Sequence, residues 1–274
     1  MDGMKLYALI WLSMILTGVV IIMFISLQKK PEKIMELTIS GGFWSAYETY
    51  EYYSNGTVSS KERNSLILIP SFVLDELTSR TNLLLKAYPN GLKLEPEEGA
   101  ADYFIYKLTV YNRGKAINYY WTDASEKPPK ELVYLHHLLR EISGFSSNTQ
   151  DIIFYLKTDK LIFNEGEILK IYAVAVNPMQ NDFHYSSPTP CSPDFKIYFK
   201  TPSGRRIELF PIGYDLGKIC IQVIQERVLK ADGKIQSEYE YTVDEKGIHV
   251  IEAYFPYAEW EETRYCSVLE IMVS

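Results

Sequence analysis

The sequence predicts one membrane-spanning helix, then a mixed α+β domain, then an all-β sandwich. Three observations predict this order. No charged residue falls between Leu6 and Gln28. Helix-period apolar patterns are confined to residues 71–142, where they alternate with strand-like runs. After residue 150 only short β-rich runs remain, separated by turn residues.

Composition narrows the function. Lys plus Arg is 28 and Asp plus Glu is 35 in 274 residues, a net charge of -7. Such a chain lacks the basic footprint of a nucleic-acid binder. Hydrophobic residues are 47% and charged residues 23%, which fits neither wholesale disorder nor a polytopic membrane protein. The excess is in Tyr, 22 against 4 Trp and 4 His, and Tyr favours half-buried sheet faces and contact surfaces.

As a helix, Leu6 to Gln28 would reach about 34 Å, enough for a hydrocarbon core of about 30 Å. The run ends in Phe24-Ile25-Ser26-Leu27-Gln28-Lys29-Lys30 without a small-x-small cleavage site, so it reads as an uncleaved membrane anchor over residues 1–33. No second such run follows, which places the rest of the chain on one side. Lys29, Lys30 and Lys33 favour the cytoplasm by the positive-inside rule. Two features oppose that side. Asn55-Gly56-Thr57 is a glycosylation sequon, although Asn-Gly is equally a tight hairpin turn. Cys191 and Cys220 could pair in an oxidising compartment, the alternative being three reduced thiols with Cys266 in the core. The expectation is a single-pass protein of the cell membrane with its domains extracellular.

Residues 34–143 read as an antiparallel sheet with two helices. Glu36 to Thr49 is β-rich around Gly41-Gly42, and the Asn55-Gly56 turn returns Tyr47-Tyr53 as a hairpin. The Tyr cluster Tyr47, Tyr50, Tyr52 and Tyr53 serves either as core and cross-strand packing or as an exposed aromatic surface. Ser71 reads as the N-cap of a helix through Phe72, Leu74, Leu77 and Leu84, which stops before Pro89-Asn90-Gly91. Strand-like runs follow at Tyr103-Tyr111 and Ala116-Trp121. A second helix starts near Pro128-Pro129, with Leu132, Leu135, Leu139 and Ile142 on one stripe.

Residues 144–150 are small and polar, a linker. In residues 151–274 the β-rich runs are Ile152-Thr158, Ile168-Asn177, Phe195-Thr201, Arg206-Phe210, Ile219-Leu229, Glu238-Val243, Ile248-Phe255 and Cys266-Val273. That spacing is the pattern of an immunoglobulin-like β-sandwich. A Cys191–Cys220 bridge there would close a loop of about 30 residues and contribute about 3 to 4 kcal/mol.

Two stretches resemble known families. Ile39-Ser40-Gly41-Gly42-Phe43, Ala101-Asp102-Tyr103-Phe104-Ile105-Tyr106-Lys107-Leu108-Thr109-Val110, Trp121-Thr122-Asp123 and Pro129-x-Glu131-Leu132 together resemble the protealysin-inhibitor (emfourin) family, over about Glu36 to Ile142. The resemblance implies a small inhibitor of thermolysin-type metallopeptidases that meets its target through Phe43-Trp44-Ser45. Trp44 stands where that family more usually has a small residue. Ile171-Tyr172-Ala173-Val174-Ala175-Val176-Asn177, Pro190-Cys191-x-x-Asp194-Phe195-x-Ile197, Lys218-x-Cys220 and Asp244-Glu245-Lys246-Gly247-Ile248-His249-Val250 resemble the immunoglobulin-like domain of the intracellular proteinase inhibitor type. Sandwiches share such patterns without sharing function.

Catalytic and metal chemistry find no convergent set. His136 and His137 are neighbours on a helix and point about 100° apart, so they cannot chelate one ion together, while His137 and Glu141 form only an i, i+4 pair. His184 and His249 have no acidic or Cys partner at ligand spacing. The sequence therefore predicts no enzyme, cofactor or metal. It predicts a membrane-anchored protein-binding ectodomain that inhibits a peptidase or serves as a structural subunit of an envelope complex. Gly41 and Gly42 would approach the partner, Phe43 and Trp44 would fill its pocket, and Ser45 would sit at the rim.

Overall fold

The computed structural model describes residues 31–42, 46–126, 128–146, 151–257 and 265–274. Its first layer is built from β1 (Lys33–Gly41), β2 (Ala46–Tyr53), β3 (Thr57–Ser60), β4 (Ser65–Leu68), β5 (Leu92–Lys93), β6 (Phe104–Asn112) and β7 (Lys115–Thr122). They form one sheet in the order β4-β3-β2-β1-β6-β7-β5. Period-two alternation puts one apolar row on a single face: Tyr50, Leu37, Leu108 and Tyr119 lie opposite one another across β2, β1, β6 and β7. All four are buried. Tyr50 and Tyr52 are thus core residues, while Tyr47 is exposed.

Helices α1 (Ser71–Ala87) and α2 (Lys130–Ser146) cover that face. On α1 the buried positions are Val73, Leu77, Arg80, Thr81 and Leu84, a helical stripe with an arginine inside it. On α2 the expected stripe Leu132, Leu135, Leu139 and Ile142 is buried, and so are Tyr134 and Leu138 beside it. The wider buried face has a cause: α2 touches a second sheet as well.

That sheet contains β8 (Ile153–Thr158), β10 (Ile168–Val176) and β15 (Lys234–Thr242), in the order β15-β10-β8. Alternate residues of β8 and β10 face opposite layers. Ile153, Tyr155, Val174 and Val176 join the helix core, whereas Phe154, Leu156, Ile171, Ala173 and Ala175 join the sandwich core. The apolar run Ile152-Ile153-Phe154-Tyr155-Leu156 follows from burial on both faces. Across the sandwich core lie β9 (Ile162–Phe163), β12 (Lys196–Lys200), β13 (Arg206–Leu209), β16 (Gly247–Phe255) and β17 (Tyr265–Val273), in the order β13-β12-β16-β17-β9. A two-stranded ribbon of β11 (Phe183–Ser187) and β14 (Gln225–Leu229) completes it.

Several expectations are corrected. The described chain is β-rich with two helices, each of 17 residues, so each is about 25 Å long and shorter than a hydrocarbon core. Among the described residues no helix is long and apolar enough to cross a membrane. This finding overturns the single transmembrane helix, the single-pass cell-membrane placement and the extracellular side that depended on it. The segment Leu6 to Gln28 itself lies outside the described residues. The first sheet is also mixed rather than antiparallel, because Leu92–Lys93 pairs parallel with β7. Helix α2 runs on through Ser146, so the residues expected to open a linker at 144 are helical.

Candidate functional site

Gly41 ends β1 and Gly42 follows it in the turn, with φ of +97° and +69°. A Cβ on Gly41 would stand 2.7 Å from the carbonyl oxygen of Tyr103, and one on Gly42 would stand 2.8 Å from the ring of Phe104. Gly42 donates its N–H to that same Tyr103 carbonyl at 2.9 Å. The close approach that these glycines permit is therefore to β6 and its lead-in, within the chain itself. Phe43, Trp44 and Ser45 lie outside the described residues.

Next to this turn, where the end of α2 lies over the sheet, is a polar cleft of about 530 Å³. Tyr50 donates to Glu48 Oε2 at 2.6 Å, and Arg63 grips Glu48 Oε1 through Nη2 at 2.6 Å and Nε at 3.2 Å. Burial pushes the Glu48 carboxyl up, but the Tyr50 hydrogen bond and the Arg63 guanidinium outweigh it and hold the carboxyl below its ordinary value. Asp123 accepts the N–H of Phe104 at 2.8 Å. Arg140 reaches the cleft from α2. Tyr106, which lines it, stacks on Trp121 at 5.3 Å, and His136 sets its edge against both rings, at 4.5 and 5.3 Å.

A second surface is apolar. Cys191 and Cys220 are joined, with Cα atoms 6.1 Å apart, and Cys220 lies in a segment no ladder includes. Leu216, Ile219, Ile221, Val223 and Ile224 are exposed by 54 to 98%. The N–H groups of residues 219–224 make no backbone hydrogen bond among the described residues. The strand expected over Ile219-Leu229 is shortened to Gln225–Leu229, because only β14 finds a partner, in β11. β-branched residues fit a ladder but cannot supply the second strand. The loop is pinned at its start, where Ile212 donates to the carbonyl of Glu238 at 2.9 Å.

The remaining sequence candidates are scattered. Asn55 is exposed in the β2–β3 turn and its Oδ1 accepts the Thr57 N–H at 3.1 Å. Cys266, expected in the core, is exposed, because on β17 the core parity belongs to Ser267, Leu269, Ile271 and Val273. His184 is exposed on β11. His249 is fully buried beside Phe199, with neither ring nitrogen hydrogen-bonded. Burial, helped by Arg140 and His137, pushes His136 down to about 3, and burial with Arg140 and Arg80 pushes His137 to about 4. Among the described residues no group of three or more His, Cys, Asp and Glu converges to hold a metal.

Sequence reasoning missed the cleft and Arg80. Asp123 and Tyr106 stood inside quoted motifs, yet Glu48, Arg63 and Arg140 come from three other elements, and no local spacing links them. Arg80 carried a signal: it occupies the apolar register of Val73, Leu77 and Leu84.

No family model and no curated protein matches this chain. Among solved structures, it is similar to a β-glucosidase from Listeria innocua in complex with glucose, at 16% identity and a TM-score of 0.26, covering 44% of this chain. The match spans 16% of that enzyme. It is also similar to a CARDB domain from Pyrococcus furiosus in complex with di-metal ions, at 10% identity and a TM-score of 0.27, covering 45% of this chain and 92% of that one. Similarity this low carries no argument about fold or activity.

Proposed function

We propose that the chain is a protein-binding module, not a catalyst, and that it binds by adding a β-strand along residues 218–224. The supporting observation is the run of exposed apolar side chains on a backbone with no ladder partner, continuous with β14 and fastened by the Cys191–Cys220 bond. Strand addition satisfies both needs together: backbone groups pair, and alternate side chains leave water. The occupant is a second copy of the chain. An antiparallel pair centred on Gln222 places Lys218 opposite Glu226 and Ile221 opposite Val223, so the segment complements itself in charge and in apolarity.

Sedimentation of the full chain over a concentration series tests this. Dimers that form in the native protein and are lost in Ile221→Asp are expected, with slowed amide exchange at 219–224 in the dimer. A chain that stays monomeric, or that associates equally in Ile221→Asp, overturns the reading. Inhibition of a thermolysin-type metallopeptidase is a narrower claim, tested by titrating such a peptidase with the full chain; unchanged activity removes it.

A further inference from the structure

The polar cleft at the end of α2 holds groups of opposite charge that do not use each other. Arg140 makes no hydrogen bond or ion pair through its guanidinium among the described residues, and neither does the second carboxylate oxygen of Asp123. Both line the same 530 Å³ space. Tyr106, which lines the same space, feels both: burial raises its hydroxyl, the Asp123 carboxylate raises it further, and the Arg140 guanidinium opposes them. The Tyr106 hydroxyl also has no hydrogen-bond partner among the described residues. The other charged pair of the cleft is different, since Glu48 is already committed to Arg63 and Tyr50. Apolar contact is on offer from Phe104, 37% exposed at the rim, and from Ile39.

Opposite charges in one cleft normally close on each other unless the fold keeps them apart. Here Asp123 is held by the Phe104 N–H in the turn after β7, and Arg140 projects from the last turns of α2. A ligand carrying both charges would complete both. The geometry points to a binding site for a small zwitterion with an apolar side group, a free amino acid or a short peptide, whose carboxylate meets Arg140 and whose ammonium meets Asp123. An Arg fork suits a carboxylate, and the exposed Asp123 carboxylate, with one oxygen in use, suits an ammonium. The phenolic hydroxyl of Tyr106 is left to bond either end. This site is separate from the apolar segment and does not depend on the self-association proposed above.

The probes are L-phenylalanine and Gly-Phe, which differ in the spacing of their charges, with 3-phenylpropionate and 2-phenylethylamine as single-charge controls. Titration calorimetry with the full chain should detect one zwitterion at millimolar affinity or better and at least about tenfold weaker binding of both controls. Arg140→Gln should weaken the zwitterion and 3-phenylpropionate but leave 2-phenylethylamine unchanged. Asp123→Asn, which keeps an oxygen for the Phe104 N–H, should do the reverse. Circular dichroism and unchanged melting establish that both variants fold. No binding of either zwitterion up to about 10 mM, equal binding of all four probes, or native affinity in both variants overturns the proposal.

Discussion

Arg80 on α1 donates from Nη2 to the carbonyl oxygen of Leu156 on β8 at 2.6 Å, across the boundary between the helix layer and the sandwich. The same guanidinium donates from Nη1 to the Tyr134 carbonyl and from Nε to Glu76 Oε1, each at 2.7 Å, and it lies 3.7 Å from the centre of the Tyr134 ring. Only 1% of the residue is exposed. One side chain thus joins both helices to the first strand of the sandwich.

Arg80→Met is expected to destabilise the protein by about 3 to 5 kcal/mol, because two buried carbonyls lose their donor and the Glu76 carboxylate keeps only the Tyr134 hydroxyl and the more distant Lys157. Arg80→Lys should rescue little of this, since a single ammonium cannot reproduce the planar fork. Urea unfolding followed by Trp fluorescence and by far-ultraviolet circular dichroism reads both outcomes. Coincident transitions in the native chain that separate in Arg80→Met would show the two layers uncoupled.

The Cys191–Cys220 bond closes a separation of 29 residues, so its loss should cost about 3 to 4 kcal/mol. Limited proteolysis gives the local readout. With reductant, or in Cys220→Ser, cleavage should appear first within residues 219–224, whose N–H groups make no backbone hydrogen bond among the described residues. Cleavage first at another loop would argue against the bond as the fastener of this segment.

Gly41→Ala should cost about 2 to 3 kcal/mol, combining an unfavourable φ with the collision against Tyr103. Gly114→Ala, in the β6–β7 turn, has a similar positive φ of +78° but nothing within 4 Å of the added carbon, so about 1 kcal/mol is expected. Thermal melting of the two variants compares them directly. Equal losses would mean that the approach to β6 is not close.

His136 and His137 stay neutral in the folded chain, with their values held near 3 and 4 against 6.5 for the free side chain. The unfolded state therefore takes up protons first as pH falls, and stability present above pH 6.5 is lost on the way down towards those values. Between pH 6.5 and 5, above the ordinary carboxylate range, each histidine should contribute a slope of up to about 1.4 kcal/mol per pH unit. His136→Phe, which keeps an aromatic ring against both Tyr106 and Trp121, should remove about half of that slope. A slope unchanged in that variant would assign it elsewhere.

The parts legible in the sequence are those decided within a few residues. Helix α1 stops before Pro89-Asn90-Gly91, and the period of Leu77 and Leu84 marks its inner face, whereas its cap is Pro70, without a side-chain cap bond, and the expected cap Ser71 is the first helical residue. Other features needed to know the neighbour. The glycine pair announced a close approach without naming Tyr103 as the group approached. Ile152 to Leu156 read as one more strand, since a run buried on both faces looks the same whichever layers bury it. Ile219-Leu229 read as a full strand because side-chain preference is local whereas pairing is not. The cleft was out of reach altogether, as Glu48, Arg63, Tyr106, Asp123 and Arg140 meet only after β2, β6, β7 and α2 have assembled.

The two-sided burial of β8 sets how this chain can be divided. A cut within residues 147–150 would leave one piece with bare helix flanks and the other with Ile153 and Tyr155 facing water, so each piece alone should be sticky and poorly soluble. The same complementarity suits the two pieces to find each other when co-expressed. Split-protein complementation is thus available at that position, and recovery of the joined halves as one soluble species is the expected result.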